Sequence, residues 1–152
     1  MYITYINLPT IPNNLLAEIS DEYIFSQKNN AFPENDSKYD TIKNVYRSIT
    51  PPKSLTQWCD ENISKSIKWF VQVIGSDLPI HRDIGATVKL NYIFNQGSDS
   101  VETTFYKDDN TTILHSEVIL PYRWHVLKVD TLHRAWNLKP GNKRLSISGC
   151  IF

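Results

Sequence analysis

The chain has 152 residues, of which 41% are hydrophobic, and it carries 16 basic and 16 acidic side chains. This length and apolar fraction predict one globular domain with a core of its own. The formal net charge of +0 argues against nucleic-acid binding, because no excess of lysine and arginine is present to neutralise phosphates. No apolar run approaches the length of a membrane span.

The N-terminus and the cysteines indicate a cellular compartment. Residues 1–14 lack the basic region and the apolar run of a secretory signal. The two cysteines, Cys59 and Cys150, have no metal-motif spacing, and we expect them to be reduced thiols of an intracellular protein. The resulting expectation is a soluble, cytoplasmic protein.

The beginning of the chain predicts little regular structure. Residues 2–7 are rich in β-forming side chains and predict a first strand. Residues 15–23 predict a short helix that Asn13 or Asn14 would cap. A helix of this length is stable only when it packs against the rest of the domain.

The next part is polar and then helical. Residues 26–53 predict a long loop with one short strand, and long loops inside compact domains tend to be functional. We expect this loop to act as a lid over a substrate. Residues 54–66 carry apolar side chains at helical spacing, with Ser54 as the expected N-cap.

From residue 67 onward, short β-rich segments alternate with turn signals. Several short strands at even spacing predict an antiparallel sandwich, barrel or jelly roll. We therefore expect a mainly β fold, with residues 67–152 as its core and residues 1–66 as a small, partly helical N-terminal part of the same domain. The predicted strands cover residues 67–75, 86–95, 101–108, 111–120, 124–130 and 144–152.

Three residues of the β region have the character of metal ligands. His81 and Asp83 stand two positions apart, so an extended chain directs both side chains to the same side. His133 follows 50 positions after Asp83. Two histidines and one carboxylate that leave other positions open suit a non-haem Fe(II) centre. The other two histidines, His115 and His125, lie between apolar residues on predicted strands, and we expect them to be structural.

The last predicted strand has a polar face. Arg144, Ser146 and Ser148 alternate with apolar residues, and Arg144 stands 11 positions after His133. A guanidinium inside a β-roll is costly unless it is paired. A bound carboxylate is a suitable partner, because arginine holds carboxylates through two parallel hydrogen bonds. The alternative is a surface strand with a solvated polar face.

Together these residues resemble the Fe(II)/2-oxoglutarate-dependent oxygenase superfamily. The resemblance covers residues 67–152 and implies a double-stranded β-helix, a jelly-roll or cupin-like fold. It implies that His81, Asp83 and His133 bind Fe(II) and form the catalytic centre. It also implies that Arg144 and Ser146 bind the far carboxylate of 2-oxoglutarate, with O2 as the second co-substrate.

Within the superfamily, the pattern VDTLHRAWN at residues 129–137 is most similar to the aspartyl/asparaginyl β-hydroxylase branch. That branch carries an arginine and a histidine on the strand after the first metal ligands, where this chain has Lys89 and Asn91. We expect both to face the co-substrate, with Lys89 beside the carboxylate at the iron end of 2-oxoglutarate. A bulge near Gly85 would instead send Lys89 to solvent.

The activity implied by the resemblance is a dioxygenase (hydroxylase) reaction. Oxidative decarboxylation of 2-oxoglutarate would be coupled to hydroxylation of a substrate C–H bond, in a protein side chain or in a small molecule such as a free amino acid. Two alternatives remain open: a cupin-type metalloenzyme that does not use 2-oxoglutarate, and a non-catalytic β-roll binding module. Arg144 separates the first alternative from the oxygenase, because an enzyme without 2-oxoglutarate has no need of it. The sequence indicates neither the substrate nor the oligomeric state.

Overall fold

The computed structural model of the chain describes residues 1–27 and 46–151. Within those ranges, two antiparallel sheets face each other, and three short helices pack on the outer side of the larger sheet. The strands are β1 (Ile3–Tyr5), β2 (Tyr46–Ile49), β3 (Trp69–Ile74), β4 (Val88–Asn95), β5 (Glu102–Tyr106), β6 (Ile113–Glu117), β7 (Trp124–Lys128), β8 (Leu132–Trp136) and β9 (Arg144–Ile151). The helices are α1 (Asn13–Leu16), α2 (Asp21–Ser26) and α3 (Lys53–Asn62).

The strand order is that of a jelly roll. The larger sheet has six strands in the order β1-β7-β4-β9-β3-β2, and the smaller sheet has three in the order β6-β5-β8. A single antiparallel bridge between His81 and His133 attaches the segment before β4 to the free side of β8. The predicted mainly β class and the six predicted strands between residues 67 and 152 are confirmed, with most strand ends one to three residues shorter than expected.

The central strand β9 separates an apolar layer from a polar one. Because side chains alternate along a strand, Leu145 and Ile147 point outward, where they join the core cluster that includes Leu55 and Cys59 of α3. Arg144, whose side chain lies on the opposite face of the strand, points inward and reaches the smaller sheet. The inner layer between the sheets contains two further apolar clusters beside these polar groups, with Ile93, Phe105, Leu127, Leu78, Val101 and Ala135 among their members.

The N-terminal part contributes two strands to the larger sheet. β1 pairs with β7 at one edge of the larger sheet, and β2 pairs with β3 at the other edge. The three helices contribute Leu16, Ile24 and Leu55 to the core on the outer side of this sheet. The described residues before position 67 therefore add a strand to each edge of the larger sheet and pack helices against its outer face.

Two helix predictions were wrong in detail. The helix predicted for residues 15–23 is interrupted, because Ser20 caps a second helix by accepting a hydrogen bond from the N–H of Tyr23 (3.1 Å). Ser54 does not cap α3. Pro52 takes the N-cap position, and the hydroxyl of Ser54 donates to Glu18 instead (2.6 Å).

One strand was missed, and one predicted strand is present. Strand β8 was not predicted as a strand, although it carries His133. The expected short strand within residues 26–53 is present as β2, whereas residues 28–45 of the expected loop lie outside the described residues. None of the helices in the described part of the chain has the length and apolar character needed to cross a bilayer.

Candidate metal centre

The candidate centre is built on the bridge between two histidines that are far apart in the sequence. The N–H of His81 donates to the carbonyl of His133 (3.0 Å), and the N–H of His133 donates to the carbonyl of His81 (2.8 Å). Residues opposite each other in such a pair direct their side chains to the same face, and the two ring centroids lie 4.6 Å apart. Asp83 follows two positions later and is held by an N–H bond to the carbonyl of Val129 (2.9 Å).

The three side chains direct donor atoms to one point. Oδ1 of Asp83 lies 3.6 Å from Nε2 of His81 and 3.8 Å from Nε2 of His133. The three donor atoms all lie within 4.8 Å of one another, and no other such group occurs in the described residues. The structure therefore brings together the three residues that the sequence pattern indicated, and keeps His115 and His125 apart from them.

Backbone carbonyls orient both imidazole rings. Nδ1 of His81 bonds to the carbonyl of Pro79 (2.8 Å), and Nδ1 of His133 bonds to the carbonyl of Thr131 (2.7 Å). A carbonyl only accepts, so each Nδ1 carries a proton and Nε2 is the ring atom directed at a metal. Burial, with a further contribution from His81, lowers the pKa of His133 to about 4, which keeps this ring neutral at pH 7. This donor set fits a divalent metal.

Lys89 lies inside the centre. Its Nζ is 2.7 Å from Oδ2 of Asp83, and the residue is only 4% exposed. Burial would raise the pKa of Asp83, but Lys89 and His133 reverse this effect and hold it below its usual value. Burial would likewise lower the pKa of Lys89, and the charge of Asp83 raises it instead. Both groups are therefore charged at neutral pH.

The path from Asp83 to Lys89 is not one continuous strand. The chain turns at Gly85, which has a φ of +81°, and β4 begins only at Val88. Lys89 nevertheless faces the centre, because β4 is hydrogen-bonded between β7 and β9 and its alternation is set by those partners. The negative charge beside Lys89 is a protein carboxylate, whereas we expected a carboxylate of the co-substrate.

Arg144 is a buried cation that has no anionic partner in the described part of the chain. It is 4% exposed, and its hydrogen bond goes to the hydroxyl of Thr103 (3.3 Å). No carboxylate of residues 1–27 or 46–151 lies within ion-pair distance of it. Burial lowers the pKa of Arg144 to about 10, so it stays charged at neutral pH. An unpaired buried charge is costly, which makes this position suited to an anionic ligand.

The wall between Arg144 and the centre is polar and hydrogen-bonded. Ser146 donates to Oε1 of Gln72 (3.2 Å) and lies 3.5 Å from the hydroxyl of Ser148. Ser148 donates to Oδ1 of Asn91, whose amide in turn lies 3.3 Å from Nε2 of His125. Thr103 and Gln72 are polar members of this interior that the sequence did not single out, because a lone threonine or glutamine on a strand carries no motif.

The two remaining histidines are engaged elsewhere. Nε2 of His115 pairs with Glu117 (2.9 Å) on the same strand. His125 is fully buried, and its Nδ1 bonds to the carbonyl of Arg123 (3.2 Å). Burial is the main cause that lowers the pKa of His125 to about 4. Both histidines therefore have contacts that account for their positions without a metal.

Known proteins resemble this chain in structure and not in sequence. No family model and no curated protein matches the sequence. A prolyl-4-hydroxylase from Pseudomonas putida has a similar structure, with a TM-score of 0.52 and 13% identity over 98% of this chain and 91% of the other. At this identity the likeness shows a shared fold.

Two further solved structures match less closely. A hydroxypropylphosphonic acid epoxidase from S. wedmorenis, in complex with fosfomycin, has a TM-score of 0.46 and 9% identity over 72% of this chain and 53% of the other. An oxidoreductase of the 2OG-Fe(II) oxygenase family from Burkholderia pseudomallei has a TM-score of 0.43 and 10% identity over 78% of this chain and 57% of the other. The chain spans little more than half the length of these two proteins.

Metal binding should depend on the three clustered residues. We expect His81→Ala, Asp83→Ala and His133→Ala each to weaken Mn(II) binding by more than about 100-fold, because changes behind a ligand already cost 10- to 100-fold. Titration followed by the electron paramagnetic resonance of free Mn(II) measures this. The controls are His115→Ala and His125→Ala, and loss of binding in either of them with retention in His133→Ala would contradict the ligand set.

The folding stability should fall in acid through His125. Its pKa of about 4 in the folded state lies below the unfolded value of 6.5, so the unfolded chain binds more protons and stability is lost as the pH falls below about 6.5. Between pH 7 and pH 5 this loss is about 2 kcal/mol. Urea unfolding in a chelating buffer should show a shallower pH dependence for His125→Gln. Equal pH slopes in the two proteins would contradict a neutral, buried His125.

Proposed function

We propose that this chain is an Fe(II)/2-oxoglutarate-dependent oxygenase that couples oxidative decarboxylation of 2-oxoglutarate to hydroxylation of a substrate C–H bond. The observation that carries the proposal is the pairing of a two-histidine, one-carboxylate cluster with a buried arginine that has no anionic partner within residues 1–27 and 46–151. The fold shared with a prolyl-4-hydroxylase supports it.

The spacing of the two features suits a short dicarboxylate. Arg144 contacts Thr103 of β5, and His133 pairs with Phe105 of the same strand. Thr103 and Phe105 are two residues apart and therefore share the inner face, about 7 Å from each other along the strand. A five-carbon dicarboxylate between Arg144 and the metal centre would span such a distance.

Each residue has a role in this proposal. His81, Asp83 and His133 would hold Fe(II), and Arg144 would bind the far carboxylate of 2-oxoglutarate through two parallel hydrogen bonds. The hydroxyl of Ser146 lies on the same face of β9 as Arg144 and would bind the same carboxylate. When bound, the iron and its co-substrate supply the oxidising chemistry, while the protein orients them and keeps water away.

The finer assignments concern the substrate. The resemblance of residues 129–137 to the aspartyl/asparaginyl β-hydroxylase branch favours a protein side chain, with a free amino acid or another small molecule as the alternative. None of the three structural neighbours is described as a member of that branch. A cupin-type enzyme that does not use 2-oxoglutarate would not supply a carboxylate to pair with the buried charge of Arg144. We therefore favour the oxygenase.

The direct test is release of succinate from 2-oxoglutarate in the presence of Fe(II) and O2. We expect slow release by the protein alone and faster release when the correct member of a panel of peptides and free amino acids is added. Asp83→Ala is the inactive control, and His115→Ala should behave as the wild type. A metal-loaded protein that neither binds 2-oxoglutarate nor releases succinate would contradict the proposal.

Affinity for 2-oxoglutarate should depend on Arg144. Loss of a charge-assisted, two-point contact costs on the order of 1.5–3 kcal/mol, which is roughly a 10- to 150-fold weaker affinity. Arg144→Lys should rescue only part of it, because an ammonium lacks the planar fork. Calorimetry with the Mn(II)-loaded protein measures both variants. Arg134→Ala is the control, since Arg134 contacts Tyr106 and Trp136 instead. Equal binding by wild type and Arg144→Ala would favour the cupin-type alternative.

A further inference from the structure

The two oxygens of Asp83 face different partners. Oδ1 faces the imidazoles, at 3.6 Å from Nε2 of His81 and 3.8 Å from Nε2 of His133. Oδ2 lies 2.7 Å from Nζ of Lys89. The carboxylate is thus divided between a side available to a metal and a side occupied by a fixed cation.

The position of Lys89 is closely constrained. Its backbone is paired with Leu127 of β7 on one side and with Cys150 of β9 on the other. Its Nζ lies 5.6 Å from the ring centroid of Phe70, and its side chain is 6% exposed. An ammonium that left Asp83 would lose its counter-ion in a buried place, which is strongly unfavourable. The contact with Oδ2 is therefore expected to persist when a metal binds.

We propose that Lys89 is a positioning residue that restricts Asp83 to coordination through one oxygen, so that three positions of the bound metal stay open. The inference rests on the metal site proposed above and adds to it a role for a residue that is not itself a ligand. With Oδ2 held by Lys89, Asp83 offers only Oδ1 to the metal. The two imidazoles offer one nitrogen each, and a six-coordinate ion keeps half of its positions for other ligands.

The lysine also changes the charge of the centre. Because a histidine that binds a metal must be deprotonated, the two histidines and the carboxylate together carry a charge of minus one when they bind a metal, and Lys89 brings this sum to zero. The ammonium of Lys89 beside Asp83 therefore reduces the attraction of this site for a divalent ion. At about 5 Å, even in a water-like dielectric, this repulsion weakens metal affinity by on the order of tenfold. Lys89 would therefore both restrict Asp83 to one metal-binding oxygen and lower the affinity of the site for the metal.

The test compares Lys89→Met with Lys89→Arg and the wild type. Methionine keeps the length of the stem and removes the charge, so Oδ2 becomes free to swing onto the metal. We expect Mn(II) to bind Lys89→Met about tenfold more tightly or better. We also expect water-proton relaxation to report about two waters on the bound ion, against about three in the wild type. Lys89→Arg should remain close to the wild type because it keeps the cation.

The matched control is Lys128→Met, which removes the same charge from an exposed position of β7. It should match the wild type in affinity and in water count. A Lys89→Met protein with the affinity and water count of the wild type would overturn the role of Lys89 and leave the metal site standing. A wild-type protein that binds no Mn(II) would overturn the metal site itself.

A second measurement does not depend on the folding of any variant. In a crystal structure of the Mn(II)-loaded wild type, we expect Oδ1 of Asp83 on the metal and Oδ2 still on Nζ of Lys89. Coordination of Mn(II) by both oxygens, with Lys89 displaced, would refute the inference. The readouts are affinity, bound water and coordination, so none of them depends on turnover.

Discussion

The pair of reciprocal main-chain hydrogen bonds between His81 and His133 is the contact on which the site depends. It joins the segment that leaves β3 to the strand that precedes β9, across 52 positions of the sequence. Because opposite residues of an antiparallel pair share a face, this one bridge places both imidazoles side by side. Asp83 joins them because its own N–H is fixed two residues further on, at Val129.

The second constraint is the polarity of the inner face of the larger sheet. Burying serines, an asparagine, a lysine and an arginine between two sheets is unfavourable unless each finds a partner. Ser146, Ser148 and Asn91 bond to one another and to neighbouring side chains, and Lys89 pairs with Asp83. Among the described residues, the hydrogen-bond partner of Arg144 is instead the neutral hydroxyl of Thr103. In the described part of the chain, the buried polar groups are thus hydrogen-bonded or ion-paired with one another, and Arg144 is the charged group that suits a bound anion.

The strand pattern was predictable because it depends on local chemistry. Alternation of apolar and polar residues in β9, bounded by the turn at Gly141, indicates a strand whatever its neighbours are. β8 escaped prediction because its five residues include His133, Arg134 and Trp136, whose polar or amphipathic side chains conceal the alternation. The N-terminal helices were predicted only approximately, since short helices take their ends from capping contacts such as that of Ser20 and from packing.

The sequence by itself determined the mainly β class, the inward face of β9, and the residue types able to hold a metal and a carboxylate. These follow from periodicity and from side-chain chemistry, which are local properties of the chain. Tertiary structure decided which of these residues meet. It brought Lys89 to Asp83 across a turn at Gly85, and it left Arg144 without a carboxylate partner among residues 1–27 and 46–151. Such contacts depend on which strands pair and in what register, and this pairing joins segments that lie far apart in the sequence.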